Sequence, residues 1–334
     1  VAPPVLDRVK QLIDPALRLA VDTLDQNLRL PASYHLGWCE ADGTPTTADA
    51  GKGMRGALAV LGAEAVGGSA EDAVPGAVAV ELIHNFSLIH DDIMDNDRVR
   101  RHRATVWDVF GVGDAIIVGD ALHALAFQVL LSDAVTERTM AATDRLGRAT
   151  SAMIAGQAQD VALDRADTAT LDQCLAMEAN KTGALLAQSV AIGAVLGGGD
   201  PDTVDALEHY GAAMGVAFQA VDDVLGIWGN PTKTGKPVGN DLREQKKSMP
   251  IALAFDRGGD IGRAVQLAFT SELSDAEIAE LTSQLDRAGV RGDVEALADR
   301  HLDDAIGALD RGELSAAPRA ELVEVARFVA TRSG

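Results

Sequence analysis

The run His90-Asp91-Asp92-Ile93-Met94-Asp95 carries three carboxylates, and Arg98, Arg100, Arg101 and Arg103 set four guanidiniums close behind it. Asp91 and Asp95 are four apart, so on a helix continuing the apolar run Val78 to Leu88 their carboxylates share a face about one turn apart. Mg²⁺ favours carboxylates plus the oxygens of a substrate phosphate, and arginine forks match phosphate geometry. The chemistry this set could do is to hold a diphosphate through a metal. An acidic cluster is more often a solvated helix end. Here the preceding segment is too apolar for a surface helix, and acids at a helix C-terminus oppose the macrodipole, which asks for a compensating cation.

A partial echo follows later in the chain. Val221-Asp222-Asp223-Val224-Leu225-Gly226 again sets a double aspartate behind an apolar helical run. Two such helices facing each other could hold metal between them. Cations accompany both motifs: Lys52 and Arg55 three apart at a helix start, Lys181-Thr182-Gly183 opening an apolar run, and a Pro/Gly-rich loop over 229–241 carrying Lys233 and Lys236, with Lys246 and Lys247 beyond it. Each alone reads as surface decoration; their coincidence around two acid motifs carries the weight.

The elements that must position these residues are helices. Hydrophobic content is 47% with aromatics at 4%, so the core is built from Ala, Leu and Val, which suits closely packed helices. Periodicity predicts helices over 5–30 with a kink or break at Pro15, then 50–65, 72–96, 113–132, 137–163, 169–197, 201–227, 248–257, 260–270, 275–289, 292–309 and 317–332. No strand alternation of convincing length and no repeat is visible. The expected fold is all-α, a single-domain bundle of ten or more helices over 1–334 around a central cavity, with no linker to divide it.

A net charge of −21 argues against nucleic-acid or anionic-membrane binding. Cys39 and Cys174 lie in no metal-ligand spacing, and no signal-peptide pattern opens the sequence, so a cytoplasmic setting is expected. The apolar stretches 115–131 and 183–199 carry polar residues and read as bundle helices, with no membrane span expected.

In sequence order, Gly51-Lys52-x-x-Arg55, Glu81 to Asp95, Arg100-Arg101, Phe218-Gln219-x-x-Asp222-Asp223 and Thr234-Gly235-Lys236 resemble the trans-isoprenyl diphosphate synthases of the polyprenyl synthetase family, nearly from end to end. The resemblance implies the isoprenoid synthase fold and a homodimer. It implies Mg²⁺ held by Asp91, Asp95 and Asp222 on the diphosphate of an allylic substrate, which Arg100, Lys181, Thr182, Gln219, Lys236 and Lys246 would also contact. Lys52, Arg55, His84 and Arg101 would hold isopentenyl diphosphate. The implied catalytic set is Asp91, Asp95, Lys181 and Asp222, and the proton lost would go to the departing diphosphate. Gly156-Gln157-x-x-Asp160 also matches a family pattern, and reads equally well as a buried polar pair tying helices together.

The chain departs from the pattern at Gly226, where a third acid is usual, and Asp241 or a metal-bound water is expected to supply the missing oxygen. Gly56, His102, Ala104 and Gln245 stand where Pro, Gly, Pro and Gly are common. Phe86 and Ser87, five and four positions before Asp91, lie where the family sets product length. A bulky Phe86 beside small Ser87 suggests a C20 product first and C15 next. Two other functions share these features: a class I terpene cyclase, which would need an aromatic-lined cavity that 4% aromatics hardly supply, and a noncatalytic partner subunit. A ferritin-like di-metal bundle would need a second Glu-x-x-His besides Glu81-x-x-His84, and none is present.

Overall fold

The computed structural model describes residues 2–48, 51–132, 134–229 and 238–330, and the fold is all-α. Helices run in chain order α1 (Pro4–Val21), α2 (Gln26–His35), α3 (Met54–Ala65), α4 (Val74–Met94), α5 (Val106–Phe110), α6 (Val112–Leu130), α7 (Glu137–Asp164), α8 (Leu171–Glu178), α9 (Ala184–Leu196) and α10 (Pro201–Trp228). They continue with α11 (Asn240–Arg243), α12 (Met249–Arg257), α13 (Gly259–Ala268), α14 (Asp275–Arg287), α15 (Val290–Ala308) and α16 (Ala316–Ala330). Two compact units emerge. The first comprises Val1–Arg148, Gln188–Leu207 and Gly312–Leu322; the second comprises Ala149–Ala187, Glu208–Arg311 and Val323–Gly334.

In the first unit the N-terminal run becomes two helices. α1 buries Val5, Val9, Ile13, Leu17 and Val21 along one stripe and passes through Pro15 without ending, because that apolar face outweighs one lost backbone hydrogen bond. The break falls instead at 22–25, where the Asp25 carboxylate accepts the Asn27 N–H at 2.9 Å and starts α2. α3 begins at Met54 rather than at 50, since Gly51 and Gly53 have φ of 93° and 60°, a backbone no α-helix uses. α4 packs on α6, α3 and α1, and its residues Gly76 to Ile83 are buried on all sides.

A hairpin then interrupts the helices, although no strand is expected there. β1 (Val99–Arg100) pairs antiparallel with β2 (Arg103–Ala104), and two-residue strands are too short to show alternation. Its turn residues Arg101 and His102 have φ of 50° and 63°, the geometry of a tight two-residue hairpin.

In the second unit α8, α12 and α15 pack together, and Ala220, Val221 and Val224 of α10 meet Cys174, Met177, Met249 and Ala252 in one buried cluster. The expected helix over 169–197 is continuous, but a π-helical turn, Ala179–Gly183, joins α8 to α9. Such a turn inserts one extra residue and re-aims the side chains it carries. Lys181 and Thr182 are on it.

Candidate active site

The first acid motif occupies the last turn of α4. The Asp95 N–H bonds the Asp91 carbonyl at 2.8 Å, so helical geometry extends through both residues and sets them one turn apart. Asp91 is partly exposed and Asp95 exposed, whereas Asp92 between them is buried. The Arg100 Nε donates to Asp92 Oδ1 at 2.6 Å. This is the cation that the unfavourable helix end calls for, and the hairpin exists to return it to α4. Burial nevertheless dominates and lifts the Asp92 carboxyl above its ordinary pKa, with Arg100 opposing.

Arg55, His84 and Arg101 come together as a second group in the same unit. Arg55 is the second residue of α3, and Lys52 precedes the helix, exposed, rather than sharing its first turn. The Arg101 guanidinium lies against Gly51, where any Cβ would collide with it. Burial brings the Arg55 pKa down to about 10 while Glu81 opposes the fall, and its Nε is buried with no hydrogen-bond partner among the described residues. Burial, then Arg55, Arg101 and Arg100, hold His84 well below its ordinary value, so it is neutral at pH 7. His35, bonded through Nε2 to Asn85 Oδ1 at 3.0 Å, is lowered to about 3 by burial and then by Arg101 and Arg100. An orphaned buried guanidinium N–H beside further cations fits an anion with several oxygens.

Sequence reasoning missed Glu81, Asn85 and His35 as parts of this group. The Glu81 Oε1 accepts the Gly56 N–H at 2.8 Å. Proline, common at that position in the family, has no N–H to give, and the Gly56 departure is therefore matched to Glu81. The signal available was an acid set within the apolar run Val78 to Ile83 of α4.

Phe86 is buried against two rings, His90 at 4.9 Å and His123 at 5.2 Å between centroids, and His123 meets Phe127 at 5.3 Å. Ser87 turns its hydroxyl back to the His84 carbonyl at 2.8 Å. One turn before Asp91, the bulk is thus on the Phe86 side.

The second unit repeats the pattern of the first motif. Asp222 is partly exposed, and Asp223 is buried, with Oδ1 accepting from Gln219 Nε2 at 2.9 Å and Oδ2 from the Met249 N–H at 2.8 Å. Burial raises the Asp223 pKa despite these donors and Lys246. In both motifs the first aspartate is presented and the second is tied inward. The Thr182 hydroxyl lies 3.4 Å from both Gln219 Oε1 and Glu178 Oε2. Glu178 is pushed up by burial and then by Asp223. Lys246 is held above its ordinary value by Asp223, Asp241, Glu178 and Asp160, although burial opposes this.

Gly156-Gln157-x-x-Asp160 acquires a structural account. A Cβ at Gly156 would collide with the Lys181 backbone, so glycine lets α7 and the π-turn touch, and Asp160, one turn on, forms an ion pair with Lys181 Nζ. Asp160 thereby fixes the ammonium. Lys236 lies outside the described residues.

Asp91, Asp95 and Asp222 supply hard oxygen donors, and Mg²⁺ characteristically takes one or two carboxylates and completes its shell with water and substrate phosphate. Among the described residues, no three His, Cys, Asp or Glu side chains already form a metal cluster. The donor chemistry fits the ion, with a diphosphate supplying further oxygens.

An all-α fold bearing two aspartate motifs, each with an inward-tied second acid and flanking fixed cations, defines a metal-dependent diphosphate-binding enzyme class. Residues 38–284 match the family described as Polyprenyl synthetase. The chain is 42% identical to a (2E,6E)-farnesyl diphosphate synthase of Mycobacterium bovis over 98% of this chain and 93% of that protein. It is 39% identical to a geranylgeranyl diphosphate synthase of Mycobacterium tuberculosis over 91% and 88%. A polyprenyl synthetase structure from Streptomyces coelicolor superposes with a TM-score of 0.94 at 47% identity, covering 98% of this chain and 99% of that one. The protein belongs to the polyprenyl synthetase family and is a trans-isoprenyl diphosphate synthase.

Proposed function

We propose that the 334 residues act as one polyprenyl synthetase domain that condenses isopentenyl diphosphate with an allylic diphosphate. The observation that carries this is the pairing of two partly buried guanidiniums, Arg55 and Arg101, around a neutral His84 with two presented aspartates at the end of α4 in the same unit. The first suits a diphosphate held by fixed charges alone; the second suits one held through metal.

Asp91 and Asp95 on α4 would hold Mg²⁺, as would Asp222 on α10, and the metal when bound would supply Lewis-acid stabilisation to the leaving diphosphate. Arg100, Lys181, Thr182, Gln219, Lys236 and Lys246 orient the allylic diphosphate, and their fixed charge favours the state in which its C–O bond has ionised. Internal acids keep these cations in place: Asp92 for Arg100, and Asp160 for Lys181. Lys52, Arg55, His84 and Arg101 orient isopentenyl diphosphate so that its double bond attacks the allylic carbon. A neutral His84 donates a hydrogen bond to phosphate without competing for the proton then lost, which leaves with the departing diphosphate.

Phe86 closes the tail path and favours a C20 product, with C15 the other outcome; relatives named for both lengths bracket it. A homodimer is supported by α6, where Val112, Ile116 and Ile117 are exposed at 47, 43 and 54%. This helix is also long and apolar enough to cross a membrane, but covering those side chains in a subunit interface accounts for them without a span. A cytoplasmic enzyme drawing on soluble diphosphates fits this reading. Incubation with geranyl diphosphate alone, then with added isopentenyl diphosphate, tests it: a longer prenyl diphosphate appears only in the second mixture. A hydrocarbon from the first would favour a cyclase instead.

A further inference from the structure

The two aspartate motifs differ in one respect. Asp91-Asp92-x-x-Asp95 has an acid one turn after the first aspartate, and Asp222-Asp223-x-x-Gly226 has none. α10 is helical through Trp228, so residue 226 lies one turn beyond Asp222 on the same face, as Asp95 does to Asp91. The space that a residue-226 side chain would take is filled. A Cβ built on Gly226 would lie within 2.5 Å of Cγ and both oxygens of Asp241.

Asp241 reaches that point from a separate element. Gly239, at φ 68°, turns the chain into the short helix α11, and Asp241 is its second residue, with a buried side chain. Its carbonyl accepts the Lys246 N–H at 2.9 Å, which ties α11 to the start of the segment leading into α12. We propose that Asp241 is the missing third acid of the second motif, delivering to the Asp222 face of α10 the carboxylate that residue 226 does not, and that it acts as a ligand of the Mg²⁺ bound by Asp222. Gly226 is then a requirement: any side chain there displaces the carboxylate it was replaced by.

Asp241 also faces a cation: with Asp223, Glu178 and Asp160 it acts on the Lys246 ammonium.

The inference rests on the proposed prenyl transfer, so the test reads metal binding rather than turnover. Mn²⁺ replaces Mg²⁺ as a paramagnetic probe, titrated into the full-length protein with saturating inorganic pyrophosphate and followed by electron paramagnetic resonance. Asp241→Asn is expected to weaken Mn²⁺ binding about tenfold or more. Gly226→Asp/Asp241→Ala, which returns the acid to α10 and removes the side-chain end it would meet, is expected to recover most of that loss. Gly226→Ala keeps every charge but pushes the Asp241 carboxylate aside, and is expected to weaken binding as well. Far-UV circular dichroism without metal identifies variants that have not folded, and Gly226→Ala serves if Asp241→Asn is one. Wild-type Mn²⁺ affinity in folded Asp241→Asn or Gly226→Ala, or a folded double variant as weak as Asp241→Asn, overturns the assignment. A wild-type protein that binds Mn²⁺ as expected yet makes no prenyl diphosphate overturns the functional reading instead.

Discussion

Replacing Gly56 tests how the isopentenyl-side cations are held. Its N–H is one of the orphan donors of the first turn of α3, and it is satisfied by the buried Glu81 carboxylate at 2.8 Å. Gly56→Pro removes that donor while keeping a residue tolerated in a helix's first turn. Losing a hydrogen bond to a buried charged group costs about 1.5–3 kcal/mol. Restricting the unfolded chain returns about 0.5 kcal/mol, so a net loss of about 1–2.5 kcal/mol is expected. Gly56→Ala keeps the donor. Its Cβ would lie 2.6 Å from Ile13 Cδ1, the end of a flexible side chain, and the better helix propensity of alanine offsets the adjustment to within about 1 kcal/mol. Urea unfolding of the three proteins measures both effects. Because Glu81 also opposes the burial-driven fall of the Arg55 pKa, KM for isopentenyl diphosphate should rise in Gly56→Pro with the allylic KM unchanged. Equal stability of Gly56→Pro and wild type would refute the reasoning, as would a loss of the same size in Gly56→Ala.

Further outcomes are expected. Phe86→Ala removes the ring packed on His90 and His123 and should lengthen the product, read by chromatography; an unchanged distribution would remove Phe86 from chain-length control. His102→Gly and Gln245→Gly relieve left-handed backbone at φ 63° and 53° and should each stabilise the protein by about 1 kcal/mol in urea unfolding, with no gain arguing against strain there. His35 is held neutral to about pH 3 in the folded chain, whereas the unfolded chain protonates near 6.5. The unfolded state therefore binds the extra proton, and stability should fall below pH 6.5 by about 1.4 kcal/mol per pH unit for this one histidine. His35→Gln should flatten that slope, and an identical slope would exclude His35 as its source.

The helical character was legible because α1, α4 and α10 repeat apolar residues at helical spacing, and the acid and base motifs were legible because they are contiguous. Contacts made across the chain were not. Nothing in the run 5–30 marks Asp25 as a stronger signal than Pro15, since a cap declares itself only by the N–H it accepts. The π-turn under Lys181 leaves no periodicity over five residues, and two-residue strands leave none at all. Two departures from the family pattern, His102 and Gln245, proved to sit at positive φ, which explains why glycine is common there while this chain keeps the same backbone without it. The missing acid at Gly226 was visible in the sequence. That the Asp241 carboxylate fills its space is a fact of packing alone.

The most direct measurement is mass spectrometry of the products formed from isotope-labelled isopentenyl diphosphate with dimethylallyl, geranyl or farnesyl diphosphate and Mg²⁺. The account predicts labelled all-trans prenyl diphosphates ending at C20 or C15, lost in Asp91→Asn and in Asp222→Asn. No incorporation of label with any of the three starters, in folded protein supplied with Mg²⁺, would contradict it.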